Sequence, residues 1–353
     1  MLAPLIVCAD AHAAIGTGHV MRSLVLAAAW QLGGDRATFV SHCPVMPLRQ
    51  RILASGAALR SLDAPLADPQ RLAAEVAEAV DGASRPWVVL DGYHFDSACQ
   101  RALRRLNVRL LVVDDLAHLP SYHAELVVNQ NLGAEEMGYA CDADTRLLRG
   151  CRYVLLRDEF RPWRRWERCT APLARKVLVT LGGSDPQNVM PRLLQGAVCA
   201  EIPELEIRVV IGSANRHAAE IRRWAGDCRV RIEILSDVPD MAQQMAWADV
   251  ALSAAGTTCW ELAFMQLPSL LTVLADNQQN AALRLDEAGV ATSLGLATQL
   301  TTPSVAAALT ALCRDADCRR RQSRLGRQLV DGEGIERLLE RMKDEDRGPS
   351  LAV

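Results

Sequence analysis

The chain has 353 residues, half of them hydrophobic and only 4% aromatic, with a formal net charge of -3. One hydrophobic core stops growing at about 250 to 300 residues, so we expect two domains. The charge balance argues against a dedicated nucleic-acid binder, which carries a basic excess. The eleven cysteines include no C-x-x-C pair, which favours free thiols over a zinc site or a disulfide framework.

The first ten residues, MLAPLIVCAD, have no basic segment and reach an aspartate too early for a secretory signal peptide. No stretch approaches the roughly 18 uninterrupted apolar residues that a membrane span needs. These features predict a cytoplasmic protein without a membrane span.

Short apolar runs alternate with helix-patterned segments, which predicts buried parallel strands on a βαβ plan. After a first strand at 5–10, the segment from His19 to Leu32 is typical of a helix that ends at a glycine pair. Four more strands are predicted in the first half of the chain, at 37–41, 87–91, 109–114 and 126–129.

The segment 161–176 interrupts this alternation with two prolines and several arginines and tryptophans, which predicts a linker. The fold class is therefore predicted as α/β, with Rossmann-like, doubly wound domains at 1–170 and 171–340 and a charged tail at 341–353. The strands of the second domain are predicted at 177–183, 207–212, 231–235, 249–253 and 269–274.

The segment AIGTGHVMR follows the first strand and contains Gly16, Gly18 and His19. A dinucleotide fingerprint needs a small residue where Met21 stands, and a Walker A loop needs a Gly-Lys-Ser/Thr end, so both motifs match poorly. A tight turn would instead deliver His19 to the first turn of a helix, whose partial positive charge favours a neutral, proton-accepting imidazole. A capping or packing role for His19 is the alternative, and spacing does not decide between them.

The segment TLGGSDPQN places Ser184 directly after a predicted strand, with Pro186 near the first helical position. Backbone amides in such a turn can hold a phosphate. The alternative is an ordinary βα turn in which Ser184 or Asp185 caps the helix.

The segment SAAGTTCWELAF opens another helix after a strand, and Gly256, Thr257 and Thr258 could present donors to a diphosphate. Glu261 could accept a hydrogen bond from a ribose hydroxyl. The alternative is a capping box in which Glu261 folds back on the amide of Thr258.

Two further strand-end loops carry polar side chains. In VLADNQQNA, the amides of Asn277 and Gln278 can hold sugar hydroxyls or acetamido groups, or act as a helix cap. DGYHFD supplies Tyr93, His94 and Asp96 at a strand end of the first domain, with the same ambiguity.

Taken together, these motifs resemble the UDP-sugar hydrolases of pseudaminic acid biosynthesis, the PseG family, whose wider relatives are the MurG-like glycosyltransferases. The resemblance covers roughly residues 5–330. It is carried by CADAHAAIGTGHVMR, VVLDGYHFD, LGGSDPQN and SAAGTTCWELAFMQLPSLLTVLADNQQNAALRLDEAG.

The resemblance implies a GT-B fold with two Rossmann-like domains, an interdomain cleft as the site, and UDP bound mainly by the second domain. It implies no metal ion and no cofactor. The implied reaction is hydrolysis of UDP-2,4-diacetamido-2,4,6-trideoxy-β-L-altropyranose to UDP and the free sugar, with inversion at the anomeric carbon. The partners expected are this UDP-sugar and water, and no nucleic acid is expected to bind. Functional coupling to a downstream nonulosonic acid synthase is also expected.

The family's site residues, carried over by motif, give each position a role. His19 is the catalytic residue that activates or orients water, and Tyr93 and Asn277 lie near the sugar. The remaining substrate-binding positions are Ser184, Gly256, Thr257 and Thr258 for the diphosphate, Glu261 for the ribose, backbone at Val238 for the uracil, and Gly16, Gly18, Arg22 and Gln278 to complete the set.

Two alternative functions stay open. A MurG-like glycosyltransferase should carry an exposed apolar and basic patch on its first domain for membrane contact, and no such segment stands out in the sequence. A catalytically silent UDP-sugar binding protein would share the fold without the chemistry.

Overall fold

The computed structural model describes residues 4–12, 15–80, 82–83, 85–183, 185–212, 215–236 and 238–347. The chain forms two compact units. The first comprises Met1–Arg157 with Glu333–Val353, and the second comprises Asp158–Gly332.

The first unit is built on a parallel sheet with the strand order β3-β2-β1-β4-β5-β6-β7. The described strands are β1 (Leu5–Ala9), β2 (Ala37–Ser41), β3 (Ala58–Ser61), β4 (Trp87–Asp91), β5 (Arg109–Val113), β6 (Leu126–Asn129) and β7 (Arg146–Arg149). The helices between them are α1 (Gly18–Leu32), α2 (Met46–Ala54), α3 (Pro69–Val80) and α4 (Ser97–Arg104).

Both faces of this sheet are covered. Leu5 and Val7 of β1 pack into one core cluster with Trp30 of α1, whereas Ile6 and Cys8 pack into a second cluster on the other face. A strand buried on both faces has a continuous apolar sequence, which is why β1 was predictable.

The strand order reverses between β1 and β4. Strands β2 and β3 extend the sheet on one side of β1, and β5 to β7 extend it on the other side of β4. In an open parallel sheet, ligands bind beyond the carboxyl ends of the strands at this switch point. The loops after β1 and β4 therefore lie side by side where a site is expected.

The second unit repeats the plan with a parallel sheet of order β10-β9-β8-β11-β12-β13. Its described strands are β8 (Lys176–Thr180), β9 (Glu206–Ile211), β10 (Arg231–Ser236), β11 (Val250–Ala254), β12 (Ser269–Val273) and β13 (Thr292–Leu296). Its helices are α5 (Met190–Cys199), α6 (Ala218–Gly226), α7 (Met241–Trp247), α8 (Thr258–Phe264), α9 (Gln279–Glu287), α10 (Thr302–Arg314) and α11 (Ala316–Leu329).

The last helix, α12 (Gly334–Arg347), returns to the first unit. Leu338 and Met342 are fully buried there in the same cluster as Trp30. The predicted assignment of 333–340 to the second domain and of 341–347 to a separate tail therefore differs from the structure. Helix α12 belongs to the first unit because its apolar side chains complete that core.

The predicted linker, 161–176, is part of the second unit. After a 3-10 helix at Asp158–Arg165, the partly buried guanidinium of Arg168 donates to the carbonyl oxygens of Met245 at 2.6 Å and Met265 at 3.1 Å, and also to Ala248. These carbonyls lie at the ends of α7 and α8, where helical acceptors lack partners. Burial lowers the pKa of Arg168 to about 10.

Every strand predicted from an apolar run is confirmed to within a few residues. The three strands that were not predicted, β3, β7 and β13, each lie at the edge of a sheet. Their residues are largely half-exposed or exposed, so their sequences lack a continuous apolar run. Within the described ranges, no helix is long and apolar enough to cross a membrane.

Candidate functional site

A buried carboxylate marks the switch point of the first unit. Asp91 is the last residue of β4 and pairs in register with Ala9 of β1 and Val113 of β5. Its side chain is fully buried. A buried charge is costly unless it is paired, so its partners identify the local structure.

Three side chains of α1 converge on Asp91. His19, Arg22 and Ser23 share one helix face because they are spaced by three and four residues. His19 Nδ1 lies 2.7 Å from Oδ1, Arg22 donates through Nε at 2.7 Å and Nη2 at 2.6 Å, and Ser23 Oγ donates at 3.0 Å.

These partners keep Asp91 ionised. Burial by itself raises the pKa of the carboxyl, but the charges and hydrogen bonds of Arg22 and His19 outweigh it and lower the pKa to about 2. Burial likewise opposes the charge of Arg22, yet Asp115 and Asp91 together raise its pKa well above the ordinary value. The site therefore holds fixed charges at neutral pH.

The carboxylate also sets the tautomer of His19. Nδ1 has an acceptor, Asp91 Oδ1, at 2.7 Å and a donor, Arg22 Nη2, at 3.2 Å. The shorter contact is with a charged acceptor, which favours a proton on Nδ1. Nε2 is then the nitrogen that can accept a proton, the arrangement of an acid–histidine pair.

Tyr93 contacts this pair from the loop after β4. Its ring meets the ring of His19 edge to face, with centroids 4.9 Å apart. Its hydroxyl donates to Asp115 Oδ2 at 3.0 Å, and Asn131 Nδ2 donates to Asp115 Oδ1 at 3.0 Å. His19, predicted to activate water, and Tyr93, predicted near the sugar, therefore lie together.

Arg22 takes a different place from the predicted one. Its side chain is only 5% exposed, and Nη1 donates to both oxygens of Asp115 at 2.9 and 2.8 Å, while Nε and Nη2 hold Asp91. A guanidinium engaged by two carboxylates is not available to a phosphate. Arg22 holds Asp91 in position instead of offering a substrate contact.

The two glycines before His19 differ in their backbone conformation and in their surroundings. Gly16 has a φ of +76° in a tight turn closed by its N–H to the carbonyl of His12 at 2.8 Å, so a side chain there is strained. Gly18 is the first residue of α1 and has an ordinary φ, and an added methyl group would meet no atom within 4 Å. Gly18 therefore borders open space beside His19.

In the second unit, the predicted diphosphate residues lie at the carboxyl end of β11. Gly256 and Thr257 form the turn, and Thr258 begins α8. The helix cap is Thr257, one residue before the Thr258 of the capping-box alternative, and its side chain makes no capping hydrogen bond. Glu261 lies in the first turn of α8 and is partly exposed.

The loop after β12 approaches that turn. Gln278 accepts a hydrogen bond from the N–H of Leu274 at 2.9 Å, and its Nε2 would lie 3.6 Å from a Cβ placed on Gly256. Asn277 is exposed in the same short 3-10 turn, Asp276–Gln278. The structure therefore brings Gln278 to Gly256 and leaves Asn277 at the surface nearby.

The turn after β8 differs from its prediction. Ser184 lies outside the described residues. The carboxylate of Asp185 is buried and accepts the N–H groups of Val189 at 2.9 Å and Met190 at 3.0 Å. Helix α5 thus begins at Met190, not near Pro186, and Asp185 caps it, as the alternative of an ordinary βα turn predicted.

Val238 is not brought to the other second-unit residues. It follows β10, which is separated from β11 by β9 and β8 in the sheet order. At 4.7 to 4.9 Å per strand, three steps amount to about 14 Å. A uracil contact at Val238 remains a prediction.

Sequence reasoning missed Asp91, Asp115 and Ser23. The signal was present for Asp91, because an acid that ends a buried apolar strand needs a partner and H-x-x-R-S on one helix face supplies three. Within the described ranges, no group of three or more histidine, cysteine or acidic side chains is arranged to hold a metal ion.

The match to a known protein family lies in the second unit. A family profile described as the glycosyltransferase family 28 C-terminal domain matches residues 177–327. The spore coat polysaccharide biosynthesis protein SpsG of Bacillus subtilis is 26% identical over 225 residues, which are 63% of this chain and 65% of SpsG.

A UDP-N-acetylglucosamine–N-acetylmuramyl-(pentapeptide) pyrophosphoryl-undecaprenol N-acetylglucosamine transferase of Ectopseudomonas mendocina is 35% identical over 123 residues. The match covers 33% of this chain and 34% of the transferase. The chain thus spans less than two thirds of the length of both curated relatives.

Among solved structures, MurG of Acinetobacter baumannii superposes with a TM-score of 0.66 at 16% identity, covering 97% of this chain and 99% of MurG. This likeness confirms the predicted fold class of two parallel-sheet, Rossmann-like domains. The chain has the two-domain GT-B fold that MurG also has, and residues 177–327 resemble the C-terminal domain of glycosyltransferase family 28.

Proposed function

We propose that the protein is a UDP-sugar hydrolase in which His19 activates the attacking water. The observation that carries the proposal is the Asp91–His19 pair at the switch point of the first unit, with Nδ1 2.7 Å from Oδ1. A neutral imidazole whose Nδ1 proton is held by a carboxylate can take a proton at Nε2. This is the function of a general base.

The nucleotide part of the proposal rests on the second unit. Its likeness to the family 28 C-terminal domain supports a nucleotide-sugar substrate, and the name of the 35%-identical transferase supports UDP as the nucleotide. We assign the diphosphate to the turn formed by Gly256, Thr257 and Thr258, over which Gln278 lies. The ribose is assigned to Glu261.

The proposed substrate is UDP-2,4-diacetamido-2,4,6-trideoxy-β-L-altropyranose. UDP leaves as a stabilised anion, so the reaction needs a base for water more than an acid for the leaving group. Water delivered opposite the leaving group inverts the anomeric carbon. Tyr93 is assigned to the sugar because its ring contacts His19, and Asn277 is assigned to an acetamido group because its exposed amide can both donate and accept.

His19→Ala tests the base. A positioned general base contributes about 10² to 10⁴ in rate, so UDP release in a coupled assay should fall by that factor. UDP affinity measured by calorimetry should stay within about twofold, since the proposal places no UDP contact on His19. The matched control is His123→Ala, which removes another aspartate-paired histidine of the same unit. Equal loss of turnover and UDP binding in a folded His19 variant would contradict the proposed role.

One observation favours a transferase instead. Leu32, Met46 and Leu53 are 76%, 58% and 57% exposed, and Arg51 is exposed beside them on α2. The end of α1 adjoins the end of α2, because Gln31 would contact a side chain at Gly56. No apolar and basic segment stood out in the sequence, and these exposed side chains are the candidates that the structure offers for a membrane contact.

Such a surface suits a membrane-bound acceptor. Sedimentation with anionic vesicles, compared between the wild type and Leu53→Glu, tests it. Vesicle binding that Leu53→Glu abolishes, together with UDP release only when a lipid-linked acceptor is present, would support the transferase. Acceptor-free UDP release without vesicle binding supports the hydrolase.

A further inference from the structure

A second acid–histidine pair lies at the switch point, and in it the acid and the histidine follow the opposite strands. In the first pair, the acid Asp91 ends β4 and its histidine, His19, follows β1. In the second, the acid Asp10 follows β1 and its histidine, His94, follows β4, with Nε2 3.1 Å from Oδ2. The two pairs therefore cross between the same neighbouring strands.

Asp10 has few other partners. Its side chain is fully buried, and Oδ1 accepts the N–H of His42 at 2.7 Å. In the described part of the chain, Oδ2 has no aligned hydrogen bond, and no arginine or lysine forms an ion pair with Asp10. His94, whose side chain is 22% exposed, is thus the side chain whose ring nitrogen faces Oδ2 of this carboxylate.

The loop is shaped to bring His94 back to Asp10. The imidazole lies over Gly92, where an added Cβ would be 2.8 Å from Cε1 and 3.0 Å from Nδ1. The same ring stacks on Phe95, with centroids 4.0 Å apart. Gly92 is therefore required because the histidine ring occupies the space of a side chain.

The residue between Gly92 and His94 is Tyr93, which contacts His19. Its hydroxyl donates to Asp115, after β5, whereas Nε2 of His94 lies 3.1 Å from Oδ2 of Asp10, after β1, at ion-pair distance without an aligned hydrogen bond. Two successive side chains thus fix the loop toward the strands on opposite sides of β4. Loss of either contact frees one side of the loop that carries Tyr93.

We propose that His94 is a positioning residue: with Asp10, it fixes the β4–α4 loop so that the ring of Tyr93 stays against His19. The inference rests on the proposed function only for its kinetic consequence. The positioning itself concerns the free protein and can be measured without substrate.

The experiment is NMR of the histidine side chains in the full-length, ligand-free protein, with resonances assigned from single variants. His94→Ala and Gly92→Ala should both move the ring resonances of His19, because both release the loop and shift the Tyr93 ring. His94→Gln should restore them toward the wild type, since its amide nitrogen can reach Asp10 as Nε2 does. His123→Ala is the control and should leave them unchanged.

The kinetic arm is a double-mutant cycle between His94→Ala and Tyr93→Ala, which removes the ring that His94 positions, in UDP release. Because His94 acts through Tyr93, the combined loss in kcat/KM should be at least about twofold smaller than the product of the single losses. Unchanged His19 resonances in both His94→Ala and Gly92→Ala, or strictly multiplicative losses, would overturn the proposal. If the variants move the His19 resonances as expected but the wild type hydrolyses no UDP-sugar, the proposed function is refuted and the positioning role stays intact.

Discussion

Asp91→Asn is expected to destabilise the protein at neutral pH and to remove part of its acid sensitivity. The carboxylate accepts four hydrogen bonds from His19, Arg22 and Ser23. Its pKa is about 2 against an ordinary value of 3.8, a difference of 1.8. At about 1.4 kcal/mol for each pKa unit, the ionised form contributes about 2 kcal/mol to the free energy of unfolding.

The direction with pH follows from the lowered pKa. The contribution is complete above the unfolded pKa, near 4, and is lost as the pH falls toward 2. Chemical unfolding at pH 7, 5 and 3 should therefore show a deficit of about 2 kcal/mol for Asp91→Asn at pH 7 and 5 that shrinks at pH 3. The variant keeps the side-chain shape, so packing is preserved.

Asp96→Asn is the matched control. Asp96 lies in the same strand–helix connection and caps α4 by accepting the N–H of Cys99 at 2.8 Å. Asparagine caps helices about as well as aspartate, so this variant should be nearly neutral. An Asp91→Asn protein as stable as the wild type at pH 7, or a deficit that does not change between pH 7 and pH 3, would refute the account of the buried charge.

Two further predictions concern the second unit. Arg168→Leu should lower the free energy of unfolding by about 3 kcal/mol, because carbonyls at the ends of α7 and α8 lose their donor. Thermal unfolding checks this prediction. A neutral effect would mean that the segment 161–176 is a dispensable linker. Gly212→Ala should cost about 1 to 3 kcal/mol, since its Cβ would collide with the carbonyl oxygen of Gly182. Gly226→Ala, where the methyl group meets no atom within 4 Å, is the control and should be neutral or stabilising.

The inner strands of both sheets were predictable because burial on both faces makes their sequences continuously apolar. The edge strand β3, in contrast, has two exposed end residues and two half-exposed middle residues, and its sequence resembles that of a loop. The start of α5 was misplaced because Asp185, at a φ of +43°, caps the helix from five residues before Met190. The sequence offered Asp185 as a cap beside Pro186, but it did not show that the carboxylate caps a helix that begins as late as Met190.

The candidate site was predictable in part. The glycine turn indicated His19, and DGYHFD indicated Tyr93, but the sequence analysis took Asp91 only as the end of a strand. Its role depends on which strands are neighbours, because Asp91 meets α1 only when β4 lies beside β1. Arg22 was assigned to the substrate for the same reason: its two carboxylate partners, at the end of β4 and after β5, are far away in the chain.

The most direct test of the central claim is proton NMR of the protein with the diacetamido UDP-sugar, in the absence of any acceptor. The account predicts stoichiometric release of UDP and free sugar, first as the inverted anomer, and a rate about 10² to 10⁴ lower for His19→Gln. Tight binding without UDP release, or equal rates for the wild type and His19→Gln, would contradict it.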